Sequence, residues 1–209
     1  RDRLLGIPAC ERAVMRAVFL TLLFLPWLAC APAADAPPVW EPYSQHCATI
    51  AADAIVLRCT SGAVLGPWQA AEGAQLAATV QATPAADGRV WAAVALNADP
   101  DADDRYVSAA VEHGIVPYTD DAPGDAYGVI LATPADHCCV RLLPIDLTVP
   151  HRLSVTYSDG IATMCVDDAC DTARIDLGVR VRPELLCVAV DPGESGGGTA
   201  TCAFTEIAQ

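Results

Sequence analysis

The sequence predicts an all-β fold, an antiparallel two-sheet sandwich stapled by disulfides, and three observations carry that expectation. From about Trp40 onward, short apolar or alternating runs recur between turn residues. Past residue 30 the cysteines number an even eight: Cys47, Cys59, Cys138, Cys139, Cys165, Cys170, Cys187 and Cys202. The composition, 53% hydrophobic and 18% charged, supplies ample apolar surface to bury and rules out disorder. A length of 209 residues fits one large domain.

The first elements in order belong to export rather than to the fold. Residues 1–14 precede Met15 and read as upstream sequence or a non-native extension. Residues 17–28 (AVFLTLLFLPWL) form an apolar run behind Arg16, interrupted by Pro26. The run is well short of the ~20 residues a spanning helix needs. A short apolar run behind a basic residue is the pattern of a signal peptide, assigned to residues 15–30. Two cleavage readings stay open. Leu28-Ala29-Cys30 resembles the end of a bacterial lipobox, with Cys30 lipidated, although Trp27 stands where that motif usually has leucine. The alternative is ordinary cleavage near Ala31-Pro32-Ala33. Residues 31–39 then form an Ala/Pro tether, extended and semi-rigid. The expected location is extracytoplasmic, as a secreted protein or cell-surface lipoprotein, with membrane contact only through the lipid anchor.

Residues 40–209 are expected to form the sandwich. The clearest strand is 151–158 (HRLSVTYS), in which Leu153, Val155 and Tyr157 face in and Arg152, Ser154 and Thr156 face out. Asp159-Gly160 follows as a hairpin turn, because glycine accepts the positive φ such a turn needs. Residues 161–167 return as the partner strand. Further strands are expected at 54–59, 63–68, 75–83, 89–97, 105–112, 127–133, 139–143, 185–190 and 199–207, separated by Pro84, Asp87-Gly88, Pro100, Pro123-Gly124, Pro134 and Pro150. Residues 70–82 are alanine-rich enough to pass for a helix, but Gly73 and Thr79-Val80 weigh against it. Strands such as 90–96 are apolar on both faces, which suits the middle of a two-layer sandwich.

Spacing suggests three disulfides in an oxidising compartment. Cys47 and Cys59 are symmetric about Asp53, Cys165 and Cys170 flank Asp167-Asp168, and Cys187 and Cys202 are symmetric about the loop 191–198. Each pair is expected to meet as a cross-strand bridge, leaving the neighbours Cys138 and Cys139 unassigned. A structural zinc site is disfavoured: there is no CxxC, and only His137 adjoins a cysteine.

Charge excludes one class of partner. Lysine is absent, and the 12 basic residues are all arginine against 26 acids, a net charge of −14. Beyond the export segment 24 acids face 8 arginines. Such a surface repels phosphate backbones, so nucleic acid is not a partner; divalent cations are compatible with it.

The stretch from Pro150 to Gly160, followed by Ala162-Thr163-Met164-Cys165-Val166-Asp167, resembles the hairpin of concanavalin A-like (laminin G-like) jelly rolls. Gly196-Gly197-Gly198 with residues 199–207 is similar to the closing strand of that family, and His151 stands where tryptophan is common. The resemblance implies a jelly-roll sandwich, a fold that hosts glycan binders and glycoside hydrolases, with calcium at the sandwich rim in laminin G-like members.

The candidate chemistry is sparse. The hydrolases of this fold resemblance supply carboxylates as E-x-D-x-x-E, which does not occur here. Glu112 is the nearest strand-borne acid and is expected to face solvent. Asp99, Asp101 and Asp103 place oxygen donors at alternate positions, as the start of a calcium loop does, without the required glycine or terminal glutamate. Tyr118, with Asp120 and Asp121 in a polar loop, is the candidate sugar-binding face; Trp91 and Tyr106 are expected in the core. There is no G-x-S-x-G. The expected function is non-catalytic extracytoplasmic recognition of a glycan or a surface protein, with calcium as the one cofactor considered. The alternatives are a glycan-active hydrolase with a divergent site and a purely structural envelope protein.

Overall fold

A computed structural model describes residues 39–43, 47–98, 105–114, 126–133, 140–189 and 198–209. These fall within one compact unit, Pro38–Gln209. Among them the strands are β1 (Glu41–Pro42), β2 (Ala48–Ile50), β3 (Ala54–Cys59), β4 (Ser61–Leu65), β5 (Gln69–Ala70), β6 (Gln75–Thr83), β7 (Val90–Ala98), β8 (Tyr106–His113), β9 (Ala126–Thr133), β10 (Val140–Pro144), β11 (His151–Ser158), β12 (Ile161–Val166), β13 (Ala169–Arg174), β14 (Arg180–Val188) and β15 (Ala200–Ala208). They make two antiparallel sheets. The larger runs β1-β4-β14-β7-β8-β9-β10, with β5 beside β14, and the smaller runs β13-β12-β11-β6-β15-β3-β2.

One hydrophobic core fills the space between the sheets. Leu57, Leu76, Val80, Leu153 and Phe204 enter from the smaller sheet and Val64, Val94, Leu96, Val107 and Leu185 from the larger, all fully buried. Strand β6 settles the alanine-rich stretch. Its burial alternates residue by residue from Gln75 to Thr83, so pairing with β11 and β15 overrides the helix propensity of alanine. In β11, Leu153, Val155 and Tyr157 are buried and Arg152, Thr156 and Ser158 exposed, as the sequence pattern requires. The β11–β12 turn places Asp159 at φ 53° and Gly160 at φ 70°, the two positive values of the expected hairpin.

The short strands β1, β2 and β5, strand β13 and the first half of β14 lie outside the sequence expectation. Strand β13 is a polar edge strand in which only Ala173 is buried, so it has almost no apolar alternation to read. The first half of β14 contains Pro183, a residue that argues against a central strand. Proline is tolerated because β4 ends at Leu65 and the Pro183 carbonyl accepts from the Gly66 N–H at 2.8 Å. The missing N–H thus falls on the side where the ladder has run out.

The three expected disulfides are formed: Cys47–Cys59, Cys165–Cys170 and Cys187–Cys202, with Cα separations of 5.4, 4.1 and 5.9 Å. Cys165–Cys170 is a cross-strand pair of the β12–β13 hairpin. Cys187–Cys202 differs from expectation in kind. Cys187 lies on β14 of the larger sheet and Cys202 on β15 of the smaller, so this bridge ties the two layers together. Gly62, next to Cys187 in register, admits the Cys47–Cys59 bridge; a Cβ there would stand 2.7 Å from Cys47 Sγ.

His151 takes a polar role on the inner face of β11. Its Nε2–H donates to the Asp146 carbonyl at 2.9 Å, and Nδ1 meets the Asp167 carboxylate at 2.8 Å. The other Asp167 oxygen accepts from the Arg152 N–H at 2.8 Å. Both ring nitrogens are satisfied, which is how a buried imidazole occupies a position expected to hold an apolar ring.

Candidate functional site on the outer face of the larger sheet

The outer face of the larger sheet is the unusual surface of this molecule. In antiparallel strands, residues paired across the ladder share a face, so the register arranges this face in rows across the strands. One row reads Val188, Trp91, Glu112 and Tyr127; the next Leu186, Ala93, Ala110 and Val129; the third Glu184, Ala95, Ser108 and Leu131; the fourth begins Arg182, Asn97 and Tyr106. The two middle rows have a floor of small residues. Ala93, Ala95 and Ala110 point away from the core yet are 0% exposed, and Ser108 is 2% exposed. Trp91, Tyr127, Leu142 and Leu186 wall this floor, packing against Ala93, Ala110 and Val129 as a second apolar cluster. The two-faced apolar character of residues 90–96 thus has two destinations, the core on one side and this trough on the other.

Polar groups stand at defined places in the trough. Ser108 Oγ has no hydrogen-bond partner among the described residues, although the residue is buried. Glu184, one strand beyond Ala95, accepts a hydrogen bond from the Asn97 side-chain amide. Burial pushes the Glu184 carboxyl above the usual carboxylate range; the Asn97 amide and the Arg182 charge offset part of that rise. Arg182 donates to Glu41 at 2.7 Å and to the Gly66 carbonyl at 2.9 Å. Its guanidinium, with that of Arg180, lies over the Trp68 ring at 5.8 and 4.9 Å from the centroid.

Several residues differ from the sequence expectations. Glu112 is 3% exposed rather than solvent-facing, because it stands between Trp91 and Tyr127. Trp91 and Tyr106 are half-buried on the outer face rather than in the inter-sheet core, since their positions alternate with the core-facing Val90, Ala92 and Val107. Asp99, Asp101 and Asp103, like Tyr118, Asp120, Asp121, Cys30, Cys138 and Cys139, lie outside the described residues. Among the described residues no group of three or more His, Cys, Asp or Glu side chains is placed to hold a metal ion. Ser108, Asn97, Arg182 and Glu184 were not singled out by sequence. For Asn97 and Ser108 the signal was the small residues Ala93, Ala95, Ser108 and Ala110 at alternate positions of two apolar strands, which marks a second buried face; Arg182 and Glu184 had none.

No protein-family model matches the sequence, and no curated protein matches it. Solved structures do. A family 7 alginate lyase, A1-II′, shares 12% identity at a TM-score of 0.56, covering 79% of this chain and 82% of that one. The β-glucanase of Bacillus licheniformis shares 9% identity at a TM-score of 0.54, covering 79% and 89%. The carbohydrate-binding module CBM66 of Bacillus subtilis shares 14% identity at a TM-score of 0.51, covering 80% and 92%. The fold is the concanavalin A-like jelly roll. At these identities the jelly-roll likeness fixes architecture alone, and function has to come from the site.

Proposed function

We propose that this jelly roll is a non-catalytic glycan-recognition domain and that its binding surface is the trough on the larger sheet. The observation that carries it is Ser108. An unpaired buried hydroxyl costs about 1–3 kcal/mol, and this one sits in an alanine floor between an aromatic wall and a carboxylate–amide pair. An unpaired polar group among small and apolar residues, with aromatic side chains and a carboxylate beside it, supplies what a site for a hydroxylated ring requires: apolar contact for the C–H face and a few fixed polar groups for orientation. Rotation of the half-buried Tyr106 and Leu131 side chains would admit a ligand hydroxyl to Ser108. The glucanase, alginate lyase and carbohydrate-binding relatives support the same chemical class.

Carboxylate spacing favours binding over cleavage. Glu112 and Glu184 are two strands and four register positions apart, about 17 Å at ordinary sheet spacings. Glycoside hydrolysis needs its two carboxyl groups at roughly 5–9.5 Å. Export to an oxidising compartment belongs to the same proposal and is supported by the three disulfides. Rim calcium at Asp99, Asp101 and Asp103 is a further part of it.

One observation favours a hydrolase as the second reading. Glu184 has the raised pKa of a general acid, and Glu41 stands two strands away across Leu65, with Cα atoms about 10 Å apart. Glu41 is exposed and engaged by Arg182, which leaves it poorly placed as a base. A glycan array probed with the full-length chain, with and without calcium, tests the proposal. A saturable hit weakened at least tenfold by Ser108→Ala is the expected result. Binding indifferent to Ser108→Ala would move the site elsewhere. Hydrolysis of an array glycan, lost in Glu184→Gln, would establish the second reading.

A further inference from the structure

A groove separate from the trough opens at one end of the sandwich, with a volume of about 580 Å³. The C-terminal end of β6 (Gln81 to Pro84), His113 at the end of β8, Ala126 at the start of β9 and the β10–β11 connection (Ile145 to Thr148) line it. That volume is in the ordinary range for small-molecule sites, about 300–1,000 Å³.

The polar groups of this groove are held in place by bonds that leave one side of each unused. The His113 Nδ1–H donates to the Gly88 carbonyl. A carbonyl can only accept, so Nδ1 carries the proton, and in the neutral ring Nε2 remains an acceptor with no partner among the described residues. Asp146 Oδ1 takes two donors, the Thr148 N–H at 2.9 Å and the Thr148 hydroxyl at 2.7 Å, while Oδ2 has no partner among the described residues. Those bonds hold the Asp146 carboxyl below its usual range, so it is ionised at neutral pH. Gln81 donates its amide to the Leu147 carbonyl at 3.2 Å, and the Asp146 carbonyl is pinned by His151, so the connection forming one wall is fixed at two points. The exposed Thr83 lines the same space as the apolar Pro84, Ile145 and Leu147.

We infer that this groove is a second saccharide site, independent of the trough, taking one or two sugar rings through their hydroxyls. A sugar hydroxyl both donates and accepts. The imidazole Nε2 and Asp146 Oδ2 take its protons, the Thr83 hydroxyl returns one, and the aliphatic side chains meet the ring C–H surface. Net acceptor character in the groove selects a neutral sugar over a uronate, whose carboxylate would oppose Asp146.

The test is NMR titration of the isotope-labelled full-length chain with glucose, mannose, galactose, cellobiose, maltose and glucuronate. The inference expects at least one neutral sugar to give saturable shifts of the His113 ring and the Thr83 and Thr148 methyls. Those shifts should weaken at least fivefold in Thr83→Val, an exposed and near-isosteric change, and persist in Ser108→Ala. Shifts confined to Trp91 and Tyr106 would overturn this site and leave the trough standing. Loss of the His113 shifts in Ser108→Ala would show that there is no independent site. No shift with any sugar, equal response to glucuronate, or binding indifferent to Thr83→Val would also overturn it.

Discussion

The two outer faces of this sandwich obey different rules. On the smaller sheet, the residues facing away from the core are those of an ordinary solvated surface: Arg152 and Thr156 on β11 are exposed, and Thr79, Gln81, Thr201 and Ala203 are half-buried. On the larger sheet the corresponding positions of β7 and β8 include Ala93, Ala95, Ser108, Ala110 and Glu112, all buried, with Trp91, Asn97 and Tyr106 half-buried. On the proposed function, this buried outer face is the binding face, and Ser108 Oγ, which has no partner among the described residues, would meet the ligand.

The sharpest way to break that comparison uses neighbours in β7. Leu96 faces the core and Ala95 the trough. Leu96→Ala should cost about 2–5 kcal/mol of stability, read by chemical denaturation, and leave the affinity of the folded molecules unchanged. Ala95→Leu should instead fill the trough and weaken glycan binding more than tenfold. If Ala95→Leu bound normally, the trough would not be the site.

The next effect in size separates the layers. Removing the inter-sheet bridge by Cys187→Ala with Cys202→Ala should cost about 3 kcal/mol, and removing Cys165–Cys170 about 2 kcal/mol, because the longer loop restrains the unfolded chain more. Only the first should also weaken binding, since β14 carries Glu184 and Arg182. Equal effects on binding would count against the placement of those residues in the site.

Ser108→Ala should act in opposite directions on two readouts. Deleting an unpaired buried hydroxyl should stabilise the fold by about 1 kcal/mol, while glycan affinity falls. A loss of stability would mean that the hydroxyl is already satisfied in the free protein.

The smallest effect is on pH dependence. The Glu184 pKa is raised on folding, so above the ordinary glutamate value of about 4.3 the native state holds a proton that the unfolded state has lost. Stability therefore falls as pH rises from there through the folded-state value. Glu184→Gln should flatten that part of the profile, measured as melting temperature against pH. An unchanged slope would show that burial does not govern this carboxyl.

Much of the architecture was legible because it is local. The Asp159-Gly160 turn, the alternation of residues 151–158 and the cysteine spacings each report on neighbours a few residues away. The trough was not, because it is a product of long-range register. Glu184 shares a row with Ala95 and Ser108 only because β14 inserts between β4 and β7, and Pro183 concealed the first half of that strand, Glu184 with it, from a sequence reading. The inter-sheet character of Cys187–Cys202 escaped for the same reason: symmetry about a loop does not tell a hairpin from a crossover between layers.

Strand β7 is paired along its length with β14 on one side and β8 on the other, and this has a consequence for amide hydrogen exchange. Its N–H groups should open only when the whole domain does, which makes the trough floor the slowest-exchanging part of the protein. A bound glycan would therefore slow the amides beneath it only through the added free energy of global unfolding, as it slows every globally exchanging amide, and would leave no local mark there. Its footprint should appear as slowed exchange at the walls, around Tyr106 and Trp68, where local opening still has room to be suppressed.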